Sequence, residues 1–172
     1  AAARAEINRL EGIFSLYRTT SSLAQLNATG LLAAPPFELL ECLSLASRVH
    51  ATTSGAFDPT IQPLWAVYAN HAARGGAGLP PAGARAQALA VVGWPSVRFD
   101  TSEIRLEPGA ALSLNGIAQG YIADRVADLL RAEGLTDVLV NTGELHAVGR
   151  DPRGGDWRVN LGDGTDRSGL PI

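Results

Sequence analysis

The stretch from Leu112 to Leu130, LSLNGIAQGYIADRVADLL, constrains the fold of this chain more than any other. Leu112 and Leu114 alternate with Ser113, which predicts a short strand of period two. Asn115 stands where an N-cap belongs, and the fifteen residues after it run at helical spacing. Ala118, Ile122, Val126, Leu129 and Leu130 make one apolar stripe, while Asp124, Arg125, Asp128 and Arg131 face away. Gly116 and Gly120 are four apart and share one side of the first turn. A helix start offers unpaired N–H groups and the positive end of a dipole. Two glycines there leave the backbone accessible, and a phosphate or pyrophosphate is the natural guest. The competing reading is that both glycines serve only close helix–sheet packing.

With 172 residues, 46% of them hydrophobic, the chain can bury a sizeable core, and one domain over 1–172 is the default. A net charge of −3 supplies no basic patch and argues against a nucleic-acid partner. His50, His71 and His146 are far apart and form no metal-spacing motif, so each reads as a surface or satisfied residue. Cys42 is alone, which excludes an internal disulfide. No apolar run approaches the roughly 20 residues of a membrane span. The chain has no Met and begins AAARAE, which is compatible with a signal peptide or lipid anchor upstream. All fourteen basic residues are Arg.

Taken in order, Ala2 to Tyr17 carries Ile7, Leu10, Ile13, Phe14 and Tyr17 at amphipathic helical spacing. A break at Thr19–Ser22 precedes one further turn, Ser22 to Asn27, capped by Ser21 or Ser22. A long helix is predicted from Pro36 to Thr52, burying Phe37, Leu40, Leu43, Ala46 and Val49. A second runs from Thr60 to about Ala72 and buries Ile61, Leu64, Trp65 and Tyr68. Between them, Pro59 biases Asp58 toward an extended conformation. Phe57 and Asp58 side by side offer an apolar face and a carboxylate acceptor, which suits a heteroaromatic ligand. The alternative is that Asp58 or Thr60 only caps the helix, with Phe57 in the core.

Arg74 to Pro81 reads as a loop and Ala84 to Val91 as a short helix. Ser96–Asp100 and Glu103–Glu107 alternate around Thr101-Ser102 and predict a hairpin. Gly134 is a C-cap candidate. Strands follow at Asp137–Asn141, Leu145–Val148 and Asp156–Leu161, with a turn at Asp151–Gly155. Helices grouped ahead of hairpin-joined strands argue α+β.

Four segments in order then carry a specific signal: Ser15-Leu-Tyr-Arg-Thr-Thr-Ser-Ser-Leu-Ala-Gln-Leu-Asn27, Gly55-Ala-Phe-Asp-Pro-Thr60, Leu114-Asn-Gly-Ile-Ala-Gln-Gly-Tyr121 and Val138-Leu-Val-Asn-Thr-Gly143. Together they resemble the ApbE-type FAD:protein FMN transferases, from about residue 5 to the end. The resemblance implies an α+β, T-fold-related, ApbE-like domain, mostly antiparallel sheet packed with helices. It implies binding of FAD and Mg²⁺, and transfer of FMN to a Thr hydroxyl of a target protein with release of AMP. The family is exported to the periplasm and often lipid-anchored, so a membrane anchor upstream of this chain is an expectation. By position, Ala56, Phe57 and Asp58 match the flavin-contacting loop. Ser113 and Gln119 match two further FAD-contacting positions, and Gly116 matches the residue whose carbonyl ligates Mg²⁺.

The chain departs from the family pattern in three ways. Ser113 stands where the family has Asp, and Gln119 where it has Lys. Exchanging a charged for a neutral hydrogen bond trades about 1.5–3 kcal/mol for about 0.5–1.5 kcal/mol. The family's carboxylate and Thr metal ligands belong to a segment beyond residue 172, and its first strand is missing as well, so the domain is expected to be incomplete at both ends. Three readings stand: a Mg-dependent flavin transferase, a module that binds or delivers FAD without cleaving it, and a structural domain that has lost the ligand.

Overall fold

The computed structural model describes residues 2–159 and the backbone of Leu170–Pro171. Helices and small antiparallel ladders build it, so the α+β expectation holds. Contacts divide the chain into two compact units, Arg9–Ile117 and Ala1–Asn8 with Ala118–Ile172.

In the larger unit, α1 (Ala2–Phe14) contributes Leu10, Ile13 and Phe14 to the core. The helix stops short of the predicted Tyr17 because Ser15 Oγ accepts the N–H groups of Tyr17 and Arg18 and turns the chain. Tyr17 is left 82% exposed. Helix α2 (Ser22–Thr29) is capped by Ser21, whose side chain accepts the Ala24 N–H. Gly30, at φ +73°, closes it by donating to the Leu26 carbonyl. Strand β1 (Leu31–Ala33) follows and was not legible as a strand, being three residues between Gly30 and Pro35.

Helix α3 (Phe37–Thr52) buries Leu39, Cys42, Leu43 and Ala46. That stripe is rotated from the expected one, and Phe37 is exposed. Helix α4 (Gln62–Ala73) follows a 3-10 turn, Pro59–Ile61, and buries no residue. Ile61, Trp65 and Tyr68, expected in the core, are exposed, and Leu64 is half-buried. Helix α5 (Ala82–Leu89) leads through a 3-10 turn, Trp94–Ser96, to β2 (Arg98–Phe99) and β3 (Glu103–Arg105). The expected hairpin forms, with shorter strands, and the sheet order is β1-β3-β2. Asp100 Oδ1 makes the turn by accepting the N–H groups of Ser102 and Glu103.

No strand forms over Leu112–Leu114. Both leucines are fully buried, as the alternation implied, yet the backbone pairs with a side chain instead of a ladder. Asn27 Nδ2 donates to the Leu112 carbonyl and Asn27 Oδ1 accepts the Leu112 N–H, each at 2.8 Å. The Ser113 N–H donates to the Pro59 carbonyl at 2.8 Å. Helix α6 (Asn115–Ala132) then begins with Asn115 as its first residue rather than its cap.

In the smaller unit, Val126 and Ala127 of α6 pack with Val140 and Val148, and Ala3, Ile7, Ile122, Leu130 and Val138 surround them. Burying one such valine contributes about 1.5–3 kcal/mol. Leu129 is only half-buried. Gly134, at φ +86°, donates to the Arg131 carbonyl, and Leu135 donates to that of Leu130, which ends the helix as expected. Strands β4 (Val138–Asn141) and β5 (Leu145–Val148) form an antiparallel hairpin with Val138 opposite Val148. Asp151–Gly155 is a turn in which Arg153 grips Asp151 and holds its carboxyl down at about 2. Strand β6 (Arg158–Val159) pairs with β7 (Leu170–Pro171). Of the expected strand Asp156–Leu161, Asn160 and Leu161 lie outside the described residues.

Candidate functional site

The loop after α3 climbs back over the helix end. Ser54 and Gly55 take left-handed conformations, at φ +52° and +82°. The Gly55 N–H donates to the His50 carbonyl, and the Phe57 N–H donates to Thr53 Oγ1 at 3.1 Å. Asp58 has an extended backbone, as Pro59 requires, and caps the turn that follows. Its Oδ1 accepts both the Thr60 N–H and the Thr60 hydroxyl, at 2.8 and 2.6 Å. Its Oδ2 accepts the Trp94 N–H at 3.1 Å. Thr60 Oγ1, fully buried, accepts the Gly93 N–H at 2.8 Å. Asp58 therefore spends three acceptor positions internally, fastening its loop to the Gly93–Trp94 turn. The capping alternative describes this side chain well.

That loop forms one wall of a cleft of about 410 Å³, a size suited to a small-molecule ligand. Ala56, Phe57 and Asp58 line it together with Ile61, Val92, Ser113 and Gly116. Five of the residues singled out from sequence are thus brought together: Ala56, Phe57, Asp58, Ser113 and Gly116. Phe57 is half-buried rather than core, and a Cβ at Gly116 would stand 3.2 Å from its Cε2. Any side chain at Gly116, in the first turn of α6, would require this ring to give way by a few tenths of an ångström. The two glycines of that turn differ, since a Cβ at Gly120 would meet nothing within 4 Å. Close packing therefore accounts for Gly116 and leaves Gly120 without that explanation.

A second cleft, of about 120 Å³, is lined by Leu16, Tyr17, Gln62, Trp65 and Asn115. Asn115 and Gly116 are consecutive, so the two clefts share the start of α6. The spacing puts Tyr17 on the apolar stripe of the first helix and Trp65 among the buried residues of α4, and exposure on such spacing is not separable from burial in the sequence alone.

Gln119 belongs to the smaller unit and lies by the hairpin turn between β4 and β5. Its Nε2 is 3.4 Å from where a Cβ would stand on Gly143, which has φ +102°. In the same turn, the Gly143 N–H donates to Asn141 Oδ1, and Thr142 Oγ1 is buried with no hydrogen-bond partner among the described residues. An orphaned buried hydroxyl is what a ligand or a water satisfies. Nearby, His146 Nδ1 and Asp124 Oδ1 are 2.6 Å apart, joining β5 to α6. Asp124 was read as facing away, and its partner was not visible from spacing.

The Gly116 carbonyl lies inside α6, where helix geometry aims it at the Gly120 N–H. Among the described residues, no group of three or more His, Cys, Asp or Glu could hold a metal. Mg²⁺ asks for near-octahedral oxygen coordination, which one peptide carbonyl does not supply. The described residues do not fit a complete Mg²⁺ site.

The arrangement has counterparts. A family model described as the ApbE family matches residues 1–170. The FAD:protein FMN transferase of Klebsiella pneumoniae (strain 342) is 30% identical over 167 residues, covering 90% of this chain and 48% of that protein. The FAD:protein FMN transferase of Salmonella typhimurium (strain LT2) is 30% identical over 166 residues, covering 90% and 47%. Among solved structures, the apo flavinyl transferase ApbE of Pseudomonas stutzeri superposes with a TM-score of 0.81 at 31% identity, covering 93% of this chain and 52% of that one. The apbe protein of Thermotoga maritima, at 22% identity and a TM-score of 0.83, shares the fold. The chain spans about half the length of these relatives. The match runs through the Asp58 loop, the glycine turn of α6 and the β4–β5 hairpin alike, and the chain belongs to the ApbE family.

Proposed function

We propose that this chain supplies FAD-binding surface to a protein that transfers FMN from FAD to an acceptor protein. The observation that carries the reading is the cleft in which Phe57 lies against Gly116 at the start of α6. It offers an apolar ring face beside a helix N-terminus, which is the pairing a flavin with an attached pyrophosphate asks for. Relatives named FAD:protein FMN transferase support the same reading.

The reaction proposed for the whole protein balances simply. A Thr hydroxyl oxygen of the acceptor bonds to the FMN phosphorus, the bridging phosphorus–oxygen bond of the pyrophosphate breaks, and AMP leaves with the bridging oxygen. The hydroxyl proton passes to a base. Within this chain, Ala56–Asp58 and Ser113 bind and orient, and the first turn of α6 faces the phosphates. Gln119 is assigned to FAD contact by the resemblance. The Mg²⁺ dependence implied by the resemblance is assigned to the whole protein, and no step here runs through a metal. An exported, lipid-anchored location belongs to the same proposal, and fractionation of producing cells tests it.

A module that binds FAD without cleaving it is the second reading, favoured by the neutral Ser113 and Gln119 at positions where the family has Asp and Lys. Incubating the whole protein with FAD, Mg²⁺ and a Thr-containing acceptor separates the two. Acceptor flavinylation with stoichiometric AMP supports transfer; FAD retained intact supports the binding module.

A further inference from the structure

His50 was read from sequence as a satisfied bystander, and its position gives it more to do. It sits in the last turn of α3, and its Nδ1 is 2.8 Å from the Phe57 carbonyl oxygen. A carbonyl only accepts, so Nδ1 carries the hydrogen. Gly55 and Trp94 lie near the ring. A Cβ at Gly55 would stand 3.5 Å from its Cε1, and the Trp94 ring lies 6.5 Å away, centroid to centroid, at 41°. Trp94 is itself fixed, its Nε1 donating to Ser47 Oγ and its N–H to Asp58 Oδ2.

We propose that His50 is the positioning residue of the ligand cleft: its Nδ1–H holds the Phe57 carbonyl and thereby sets where the Phe57 ring stands over Gly116. Both backbone polar groups of Phe57 are then fixed, the carbonyl by His50 and the N–H by Thr53 Oγ1. Thr53 is anchored in turn by donating to the Val49 carbonyl at 2.8 Å. Asp58, the next residue, is held by Thr60 and Trp94. With the Phe57 backbone held at both polar groups and Asp58 held next to it, the point from which the ring projects is fixed, and removing the His50 bond frees the end of the loop that carries it. The role is indirect, since His50 does not line the cleft.

The inference rests on the flavin-binding reading, and the test separates the two. Four full-length chains are compared: the parent, His50→Asn, His50→Gln and His50→Leu. An Asn amide reaches where Nδ1–H stood; Gln places its amide further out, and Leu keeps bulk without a donor. Hydrogen exchange at the Phe57 amide is measured without ligand, and FAD affinity by quenching of flavin fluorescence. The expected result is that His50→Asn binds FAD within about threefold of the parent, while His50→Gln and His50→Leu lose about tenfold and exchange faster at Phe57. Equal affinity and equal exchange in all four would overturn the role. So would an Asn variant as impaired as Leu, since ring packing alone would then explain the effect. If the parent itself binds no FAD, the flavin reading fails, and Phe57 exchange still decides the His50 bond: protection kept by Asn and lost in Leu supports it, and uniform exchange removes it.

Discussion

Phe57 and Gly116 meet where α6 begins, the ring lying 3.2 Å from the position a Cβ on Gly116 would take. Adding that one carbon presses the aromatic wall outward. Gly116→Ala is therefore expected to lower FAD affinity by about tenfold while changing stability by less than about 1 kcal/mol, because alanine's better helix propensity offsets the strain. Titration with FAD alongside urea unfolding checks both halves. An unchanged affinity would mean that the ring's placement over the helix start has no part in binding.

The approach to α6 depends on one side chain. Asn27 satisfies both backbone groups of Leu112 across 85 residues of sequence. Asn27→Asp keeps the acceptor for the Leu112 N–H and leaves the Leu112 carbonyl facing an oxygen. A loss of about 1–3 kcal/mol in unfolding free energy is expected, the usual cost of an unsatisfied buried group. Asn27→Ala loses both bonds and should cost at least as much.

Cys42 is fully buried in α3, and burial, with Glu41 adding to it, pushes its thiol up to about 12. Thiolate is the reactive form, so the folded chain should not react with Ellman's reagent at pH 8 and should react with one equivalent once unfolded. Prompt reaction of the folded chain would show that α3 opens readily.

Gln119 reaches the Gly143 turn with a neutral amide. Replacing it with lysine supplies a charge to a phosphate-bearing ligand, and Gln119→Lys is expected to tighten FAD binding by about tenfold at low ionic strength, less in high salt. No change at low salt would place the phosphates away from this side chain.

The long elements were legible because their apolar spacing repeats over several turns: α3 and α6 stand where the pattern put them. Shorter features were not. Leu112 and Leu114 alternate as a strand does and are buried as one would be, but the partner supplying the hydrogen bonds of Leu112 is a distant asparagine side chain. The stripe of Ile61, Trp65 and Tyr68 looks like a core-facing helix edge, and the pattern contains nothing that distinguishes burial from exposure on a cleft rim. In the site, the spacing of Gly116 from Gly120 and the pairing of Phe57 with Asp58 suggested a ligand but left packing and capping as alternatives, and the motif resemblance favoured the ligand. Thr60 was legible only as a cap candidate and His50 only as a surface or satisfied residue, because the bonds from Gly93 to Thr60 and from His50 to Phe57 are tertiary and leave no trace in one dimension.

The most direct test of the central claim is titration of this chain with FAD, followed by flavin fluorescence, with FMN and AMP titrated separately. The account predicts saturable binding of FAD at one site, tighter than either half alone, and weakened in Gly116→Ala. Absence of saturable binding by the folded parent chain would contradict it.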